Sequence, residues 1–281
     1  MLSYIHAYHA GNHADILKHI VLSLSLEHLL KKEKPFTIID THAGSGIYNL
    51  EDLRAKKTGE AEQGITTLLK KLDSMPSSPL NSLRFIQITR AYAKKKIYPG
   101  SPEFSRLIKR NDDKLFLNEL HPTVIQELKS NMPDSSISIQ QKNASDFLNA
   151  VVPPQIKRGL CIIDPSYEDE KDFSDTALMF INAYKKWSNA VYLIWYPLIE
   201  HKLSQIQTLK EKVEQTVEQN LSESQNLKEK FSIFELKIKD PSKMTGLSSL
   251  YGSGMIVVNT PYGLNEQMPN ILRELNQILS E

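Results

Sequence analysis

The chain has 281 residues, of which 40% are hydrophobic and 24% are charged. This composition is typical of a globular protein with one large domain, or with one domain and an appended piece, and it excludes a disordered chain. The 34 basic and 33 acidic side chains leave a net charge of +1, so no global cationic field attracts nucleic acid or membrane. The single cysteine, Cys161, excludes an intrachain disulfide and a thiolate-rich zinc site.

A reducing compartment suits a chain with one cysteine. No stretch of the sequence approaches the roughly 18 uninterrupted apolar residues that a membrane span requires. Residues 1–9 lack the basic and then apolar pattern of a signal peptide. We therefore expect a cytoplasmic protein without a membrane segment.

The chain opens with a helix and continues as alternating strands and helices. Apolar residues at helical spacing predict a helix over residues 14–30, with Asn12 as its N-cap. Seven β-rich runs bounded by turn residues predict strands at 37–40, 115–119, 136–140, 160–164, 191–195, 231–239 and 254–259. Helical stretches separate most of these runs, among them 123–131, 174–186 and 198–219. This alternation predicts an α/β fold with a mostly parallel sheet that is buried on both faces.

The interval between the first two predicted strands is anomalous. It spans about 75 residues, far more than a crossover needs. We predict an inserted helical subdomain at 50–95, with helices at 60–72 and 80–96 and a Pro/Ser-rich break at 75–79, so that 1–49 and 96–281 form the main domain. Residues 90–114 carry eight basic and three acidic side chains, which fits either a solvated helix face or contact with phosphates.

The first strand is followed by a glycine-containing turn at residues 40–46. Gly44 and Gly46 allow a tight turn and a close approach to a ligand, and this favours a nucleotide-like cofactor over a purely structural turn. A dinucleotide fingerprint would have a third glycine where Asn49 stands, so the pattern weakens an NAD interpretation. Glu119, at the end of the second strand, is either a common surface glutamate or an acceptor for two ribose hydroxyls.

The fourth predicted strand ends in Asp164, Pro165, Ser166 and Tyr167. The end of a buried parallel strand is where open α/β sheets bind their ligands. The carboxylate of Asp164 and the carbonyl of Pro165 could accept both hydrogens of an exocyclic amine while Tyr167 stacks on the attached base. An Asp-Pro turn with a packing tyrosine is the structural alternative.

The order of these motifs resembles class I S-adenosylmethionine-dependent methyltransferases that modify the N6 of adenine. Their typical motif is Asp/Asn-Pro-Pro-Tyr/Phe, and this sequence departs from it at Ser166. Residues 4–19, 40–44, 98–102 and 119–122 together resemble the bacterial RlmJ family of 23S ribosomal RNA adenine-N6 methyltransferases. The resemblance implies a Rossmann-like seven-stranded class I methyltransferase sheet with an inserted helical subdomain, S-adenosylmethionine as cofactor and 23S rRNA as substrate.

The resemblance also implies roles for individual residues. With Gly44 and Gly46 of the turn, the cofactor site would contain His19, His42, Ser101, Glu119, Asn143, Ala144 and Asp164. The substrate side would contain Tyr4, His6 and Lys18, and the reaction would depend on Asp164, Pro165 and Tyr167. Asn143 departs from the Asp-Gly pair of the family, so it can hydrogen-bond the cofactor's adenine but brings no charge.

Several alternatives stay open at this point. A DNA adenine or small-molecule N-methyltransferase shares the same core, and a non-catalytic RNA-binding protein is conceivable because of Ser166 and Asn143. Five of the eight histidines lie in the first 28 residues, but we expect no metal because carboxylates and cysteines at ligand spacing are lacking. We further expect a monomer, and a loop flanked by residues 243–246 and 252–255 before the last strand.

Overall fold

The computed structural model describes residues 4–241 and 250–280. It contains nine described strands, which are β1 (Thr37–Asp40), β2 (Ile47–Asn49), β3 (Ile97–Pro99), β4 (Lys114–Asn118), β5 (Ile137–Gln140), β6 (Gly159–Ile163), β7 (Val191–Ile199), β8 (Phe231–Lys237) and β9 (Leu250–Val258). The described α-helices are α1 (His13–Leu30), α2 (Leu53–Thr58), α3 (Thr67–Asp73), α4 (Arg84–Ala93), α5 (Ser101–Ile108), α6 (Pro122–Asn131), α7 (Ala144–Val151), α8 (Lys171–Lys186), α9 (Leu203–Glu218), α10 (Leu227–Lys230) and α11 (Leu264–Leu279).

Seven of the strands form one sheet in the order β5-β4-β1-β6-β7-β9-β8. The pairs from β5 to β7 are parallel, whereas β9 runs antiparallel to both β7 and β8. The predicted α/β fold with a seven-stranded, mostly parallel sheet is thus confirmed. Because β1 lies between β4 and β6, the strand order reverses at β1, and a crevice forms at the carboxyl ends of these strands.

Helices cover both faces of the sheet, and successive strand residues alternate between them. Ile38 packs into the apolar cluster beneath α1, α5 and α11, whereas Ile39 packs into the cluster beneath α7, α8 and α9. In β6, Leu160 and Ile162 face the first cluster, while Cys161 and Ile163 face the second. A strand with both faces covered in this way reads as a continuous apolar run, which explains why β6 was visible in the sequence.

Two strands extend beyond their predicted ends. β7 continues to Ile199 through Pro197, and the helix predicted to begin at residue 198 begins at Leu203. The pairing of β7 with β6 ends at Ile194, so the rest of β7 has a neighbour only in β9, and an edge position tolerates proline. β9 begins at Leu250, so residues 252–255 lie within a strand. Residues 243–246 and the rest of the predicted loop up to residue 249 lie outside the described residues.

The region predicted as an insertion is mainly helical. β2 and β3 form a short antiparallel ladder at its base, with Tyr48 opposite Tyr98. Between them lie α2, a helical segment that includes a π-helix at Glu62–Thr66 and continues as α3, and α4. Leu68, Leu72 and Phe85 of this region join the same apolar cluster as α1. The boundaries 50–95 of a separate subdomain stay a prediction.

α1 is buried on nearly all sides, which its predicted amphipathic pattern did not suggest. Asn12 caps it as predicted, because the Asn12 side chain accepts a hydrogen bond from the Asp15 backbone N–H at 3.0 Å. The helix packs against the sheet, α4, α5 and α11, so its charged and polar residues are enclosed as well as its apolar ones. Polar groups buried this deeply need a partner, either in the protein or in a ligand, so the polar residues of α1 indicate where the site lies.

Candidate active site

A cavity of about 1020 Å³ opens where the loops after β1, β4 and β6 meet the first turns of α1. Most of the predicted site residues line it. Those residues are Tyr4, His6, Lys18, His19, His42, Gly44, Ser101, Glu119, Asn143, Ala144, Asp164 and Pro165. The crevice is the position at which open α/β sheets bind their ligands. Segments that are distant in sequence therefore converge on one space.

The glycine turn after β1 is tied to Glu119. Gly44 has φ +58° and Gly46 has φ +74°, values that favour glycine. The Gly44 N–H donates to Glu119 Oε2 at 2.9 Å, and the His121 N–H donates to Oε1 at 2.7 Å. Each carboxylate oxygen still has a lone pair for a ribose hydroxyl. Gly46 itself does not line the cavity, because its carbonyl accepts the Gly100 N–H and its α-carbon faces Met132. Its predicted cofactor contact is therefore corrected to a role in the turn.

Asp40 is the last residue of β1, and His42 lies two residues beyond it. Burial lowers the pKa of His42 to about 4, so the ring is neutral at pH 7. The Asp164 backbone N–H donates to His42 Nδ1 at 3.3 Å, which leaves the proton on Nε2. Burial raises the pKa of Asp40 to about 7, and its carboxyl accepts a hydrogen bond of 2.7 Å from the Ser101 hydroxyl. The His42 backbone N–H also donates to Asp40 Oδ1 at 3.1 Å, so Asp40 fixes His42 and Ser101, two of the predicted cofactor residues, relative to each other.

His19 presents an unpaired buried nitrogen to the cavity. Burial lowers the pKa of His19 to about 3, so this ring is also neutral. Its Nδ1 lies 2.7 Å from the phenol oxygen of Tyr98, and burial raises the pKa of Tyr98, so the phenol donates. The proton of the imidazole is then on Nε2, which has no hydrogen-bond partner among the described residues. A buried donor without a partner is suited to a ligand acceptor.

A chain of polar contacts connects α1 to the loop after β6. Lys18 Nζ lies 2.5 Å from Asp164 Oδ2 and 2.8 Å from Asp15 Oδ1. His6 Nε2 lies 3.0 Å from Asp15 Oδ2, and the Tyr4 phenol lies 2.8 Å from His6 Nδ1. The three residues predicted on the substrate side are thus joined to the predicted catalytic carboxylate.

Asp15 was missed by sequence reasoning. The signal was its spacing from Lys18, because residues three apart on a helix share a face. Trp195 and Pro197 also line the cavity without having been predicted, since the fifth strand was expected to end at residue 195. Nothing in the local sequence of β7 distinguishes a cavity-lining tryptophan from a core tryptophan.

Tyr167 does not present its ring to the cavity. Only 2% of it is exposed, its hydroxyl donates to the Trp195 carbonyl at 2.7 Å, and its ring packs against Phe173 at a centroid distance of 4.4 Å. Its φ of +51°, unusual for a bulky residue, accompanies this inward direction. The expected stacking plane at Tyr167 is therefore corrected, whereas Asp164 and Pro165 of the same motif do line the cavity.

Asn143 is used in part by the fold. Its Oδ1 accepts the Ser145 N–H at 2.9 Å and so caps α7, and a ligand would meet its NH₂ group.

Within residues 4–241 and 250–280, no group of three or more His, Cys, Asp or Glu side chains is arranged to hold a metal ion. In the same part of the chain, no helix is both long and apolar enough to span a membrane.

The sequence matches a known family over most of its length. A model of the RsmJ family, described as "Ribosomal RNA large subunit methyltransferase D, RlmJ", matches residues 33–281. Two relatives named "Ribosomal RNA large subunit methyltransferase J", from Escherichia coli (strain K12) and Haemophilus influenzae, are each 35% identical to the chain and cover 99% of it and 94% of their own length. The chain belongs to this family. The resemblance seen in the motifs is confirmed.

A solved structure shares the fold over nearly the whole chain. The crystal structure of a Legionella pneumophila protein is 30% identical, covers 96% of this chain and 94% of its own, and superposes with a TM-score of 0.82. The strand order of the sheet, with β9 antiparallel between β7 and β8, is the class I methyltransferase arrangement. The predicted fold class is confirmed.

Proposed function

We propose that this chain transfers a methyl group from S-adenosylmethionine to the exocyclic N6 of one adenine in 23S ribosomal RNA. The observation that carries the proposal is the convergence of Asp164, Pro165 and Lys18 on one cavity with the unpaired Nε2 of His19. The names of the two bacterial relatives support ribosomal RNA of the large subunit as the substrate. A monomeric state and a cytoplasmic location stay predictions.

The donor and acceptor set of the cavity fits the cofactor. The neutral His19 has an unpaired Nε2–H for a carboxylate, and Ser101 stands at the N-terminus of α5, which favours negative charge. Glu119 keeps lone pairs for the ribose hydroxyls, and Asn143 can donate to an adenine ring. When bound, S-adenosylmethionine supplies a methyl group that its sulfonium activates for transfer to an amine.

The target amine would donate one hydrogen to the Asp164 carboxylate and the other to the Pro165 carbonyl. Lys18 already holds Oδ2 of Asp164, and this contact fixes the orientation of the carboxylate before substrate enters. An amine held by two acceptors has its lone pair directed away from them. Positioning and fixed dipoles therefore supply most of the acceleration, and Asp164 can hold the proton that the amine loses.

The stacking surface for the base is reassigned. Trp195 lines the cavity, and its ring lies next to Tyr167, with 5.8 Å between the ring centroids. Tyr4, which is 36% exposed, lies at the cavity as well. Because Tyr167 is buried and does not line the cavity, we assign the contact with the flipped base to Trp195 and Tyr4.

The distribution of charge supports an RNA substrate in part. Residues 50–96 contain ten basic and five acidic side chains. Thr67 lines the cavity, and the exposed Lys70 and Lys71 follow on the same face of α3, so this face continues from the cavity as a basic surface. In the run at 90–114, by contrast, Arg106 and Arg110 pair with the buried Glu103 and Asp113, so part of that charge serves the fold.

The deciding experiment is methyl transfer by the purified Asp164→Ala variant. It should lose at least about a hundredfold in rate on 23S rRNA, because the acceptor that orients the amine is removed. The exposed Asp169→Ala on the same loop is the control and should keep the wild-type rate. A wild-type rate for Asp164→Ala would refute the assigned role. Transfer by the wild-type protein to DNA but not to rRNA would favour a DNA methyltransferase, and S-adenosylmethionine binding weaker than micromolar together with RNA binding would favour a non-catalytic protein.

A further inference from the structure

We propose that Asp15 is a positioning residue for the methyl-transfer reaction. Its carboxylate holds Lys18 with one oxygen and His6 with the other, and so it determines how Asp164 meets the substrate amine. This inference rests on the proposed function and adds to it a residue that acts through others. The sequence motifs assign no role to Asp15.

The carboxylate of Asp15 is held from several sides. It lies in the first turn of α1 and is 1% exposed. Its Oδ2 accepts the Gly11 N–H at 2.8 Å and the His6 Nε2–H at 3.0 Å, and its Oδ1 lies 2.8 Å from Lys18 Nζ. Its own backbone N–H is fixed by Asn12. A group with this many partners has one available position, so it can orient the side chains that contact it.

The first consequence concerns Lys18. The side chain is buried, and burial alone would lower its pKa, but the Asp15 and Asp164 carboxylates raise the pKa above its ordinary value. Lys18 therefore remains an ammonium that is shared between two anions. If Asp15 were neutral, the whole charge of Lys18 would be directed at Asp164. A carboxylate fully neutralised by an ammonium is a weaker acceptor for the amine, so sharing preserves the acceptor strength of Asp164.

The second consequence concerns the segment before α1. Because Oδ2 of Asp15 is an acceptor, Nε2 of His6 must carry a proton, and Nδ1 can then accept from the Tyr4 phenol. Both His6 and Tyr4 line the cavity. One carboxylate thus orders the two sides that must meet around the base, the segment with Tyr4 and the loop with Asp164.

Asp113 provides a matched control. It is also 1% exposed, it pairs with a cation three residues away, Arg110, and it accepts the Phe36 backbone N–H at 2.9 Å. It does not line the cavity. Asp113→Asn therefore removes a comparable buried charge without changing the proposed site. The stability that it loses shows how much of the loss in Asp15→Asn is due to removing a buried charge alone.

The first measurement compares kinetics of the full-length Asp15→Asn and Asp113→Asn variants on 23S rRNA. Asp15→Asn should lower kcat by about tenfold or more, whereas the Kd for S-adenosylmethionine by calorimetry should change by less than about threefold. Asp113→Asn should keep the wild-type kcat even if it melts at a lower temperature. A wild-type kcat for Asp15→Asn would overturn the inference while the proposed function stands. An inactive wild-type protein would refute both.

The second measurement tests whether Asp15 acts through Lys18. In the Lys18→Met background, Asp15→Asn should cost less than about twofold in kcat, because Lys18 is already absent and the amide oxygen of the variant can still accept from Gly11 and His6. An equal loss in both backgrounds would show a merely structural role and would overturn the inference. If Asp15→Asn does not fold, Asp15→Glu decides. It keeps the charge but moves the carboxylate, so it should lower kcat severalfold, and a wild-type kcat would count against positioning.

Discussion

Lowering the pH from 7 to 5 should destabilise the protein because three histidines are buried in their neutral form. Burial lowers the pKa of His13 to about 4, of His19 to about 3 and of His42 to about 4. A histidine whose pKa falls on folding contributes stability above its unfolded pKa of about 6.5, and this contribution is lost as the pH falls toward the native pKa. The unfolded chain then binds protons that the native chain does not.

The magnitude follows from the size of these shifts. Between pH 6.5 and 5 each of the three histidines removes about 2 kcal/mol from the free energy of unfolding, since one pKa unit is worth about 1.4 kcal/mol. Asp40 acts in the opposite direction, because burial raises its pKa to about 7, and it adds about 2 kcal/mol to the free energy of unfolding over the same change. His9, whose pKa is raised by its hydrogen bond to Glu60, also acts in the opposite direction. We therefore expect a net loss of a few kcal/mol, which is a large part of the 5–15 kcal/mol typical of a folded domain.

The assay is urea unfolding at pH 7 and pH 5 at constant ionic strength. His13→Gln removes one of the three titrating groups, so its loss between the two pH values should be smaller than that of the wild type by about 2 kcal/mol. The exposed His201→Gln is the control and should lose as much as the wild type. Equal stability of the wild type at both pH values, or an unchanged loss in His13→Gln, would refute the reasoning.

Two further predictions concern the cofactor side and the insertion. Tyr98→Phe leaves Nδ1 of the buried His19 without a donor. The Kd for S-adenosylmethionine should therefore rise by about tenfold in calorimetry, while kcat at saturation changes little. The control is Tyr92→Phe, which should leave the Kd unchanged because the Tyr92 hydroxyl contacts Glu103 away from the cavity. Gly64→Ala should cost about 2 kcal/mol or more in urea unfolding, because its β-carbon would lie 2.2 Å from the Gly11 carbonyl oxygen. Gly59→Ala, which meets open space but has φ +68°, should cost less, and the reverse order would contradict the close packing of the π-helix on the start of α1.

Strands were predictable where both of their faces are covered. β1 begins and ends where the β-rich run at 37–40 begins and ends, and β6 differs from its prediction by one residue at each end. β7 was predicted too short because its second half has only one neighbour, and Pro197 there reads as the end of a strand. The short helix α5, which brings Ser101 to Asp40, was not predicted, because eight residues with a proline near the start give little periodic signal.

The site was predictable where the backbone determines the direction of a side chain. Asp164 and Glu119 each follow a buried parallel strand, so strand order alone brings them to one edge of the sheet. Tyr167 lies only three residues beyond Asp164, but its direction depends on a positive φ and on a space beside Phe173, and neither is encoded in the local pattern. A motif therefore indicates which residues are near the ligand more reliably than it indicates which of them touch it.

The misjudged character of α1 explains why Asp15 escaped notice. Charged residues on a helix usually mark the face in water, and on that basis Lys18 is a surface cation. In the structure the sheet, α4, α5 and α11 enclose the helix, and Lys18 is 4% exposed. A lysine at that depth requires an anion within reach, and the residue three positions earlier on the same face is Asp15. Once the burial of Lys18 is known, its pairing with Asp15 follows from their spacing on the helix. The second carboxylate that contacts Lys18 is Asp164, at the end of β6. The same enclosure that stabilises the helix thus directs its charges into the cavity, which is why changes at Asp15 should affect the rate of the reaction before they affect the binding of the cofactor.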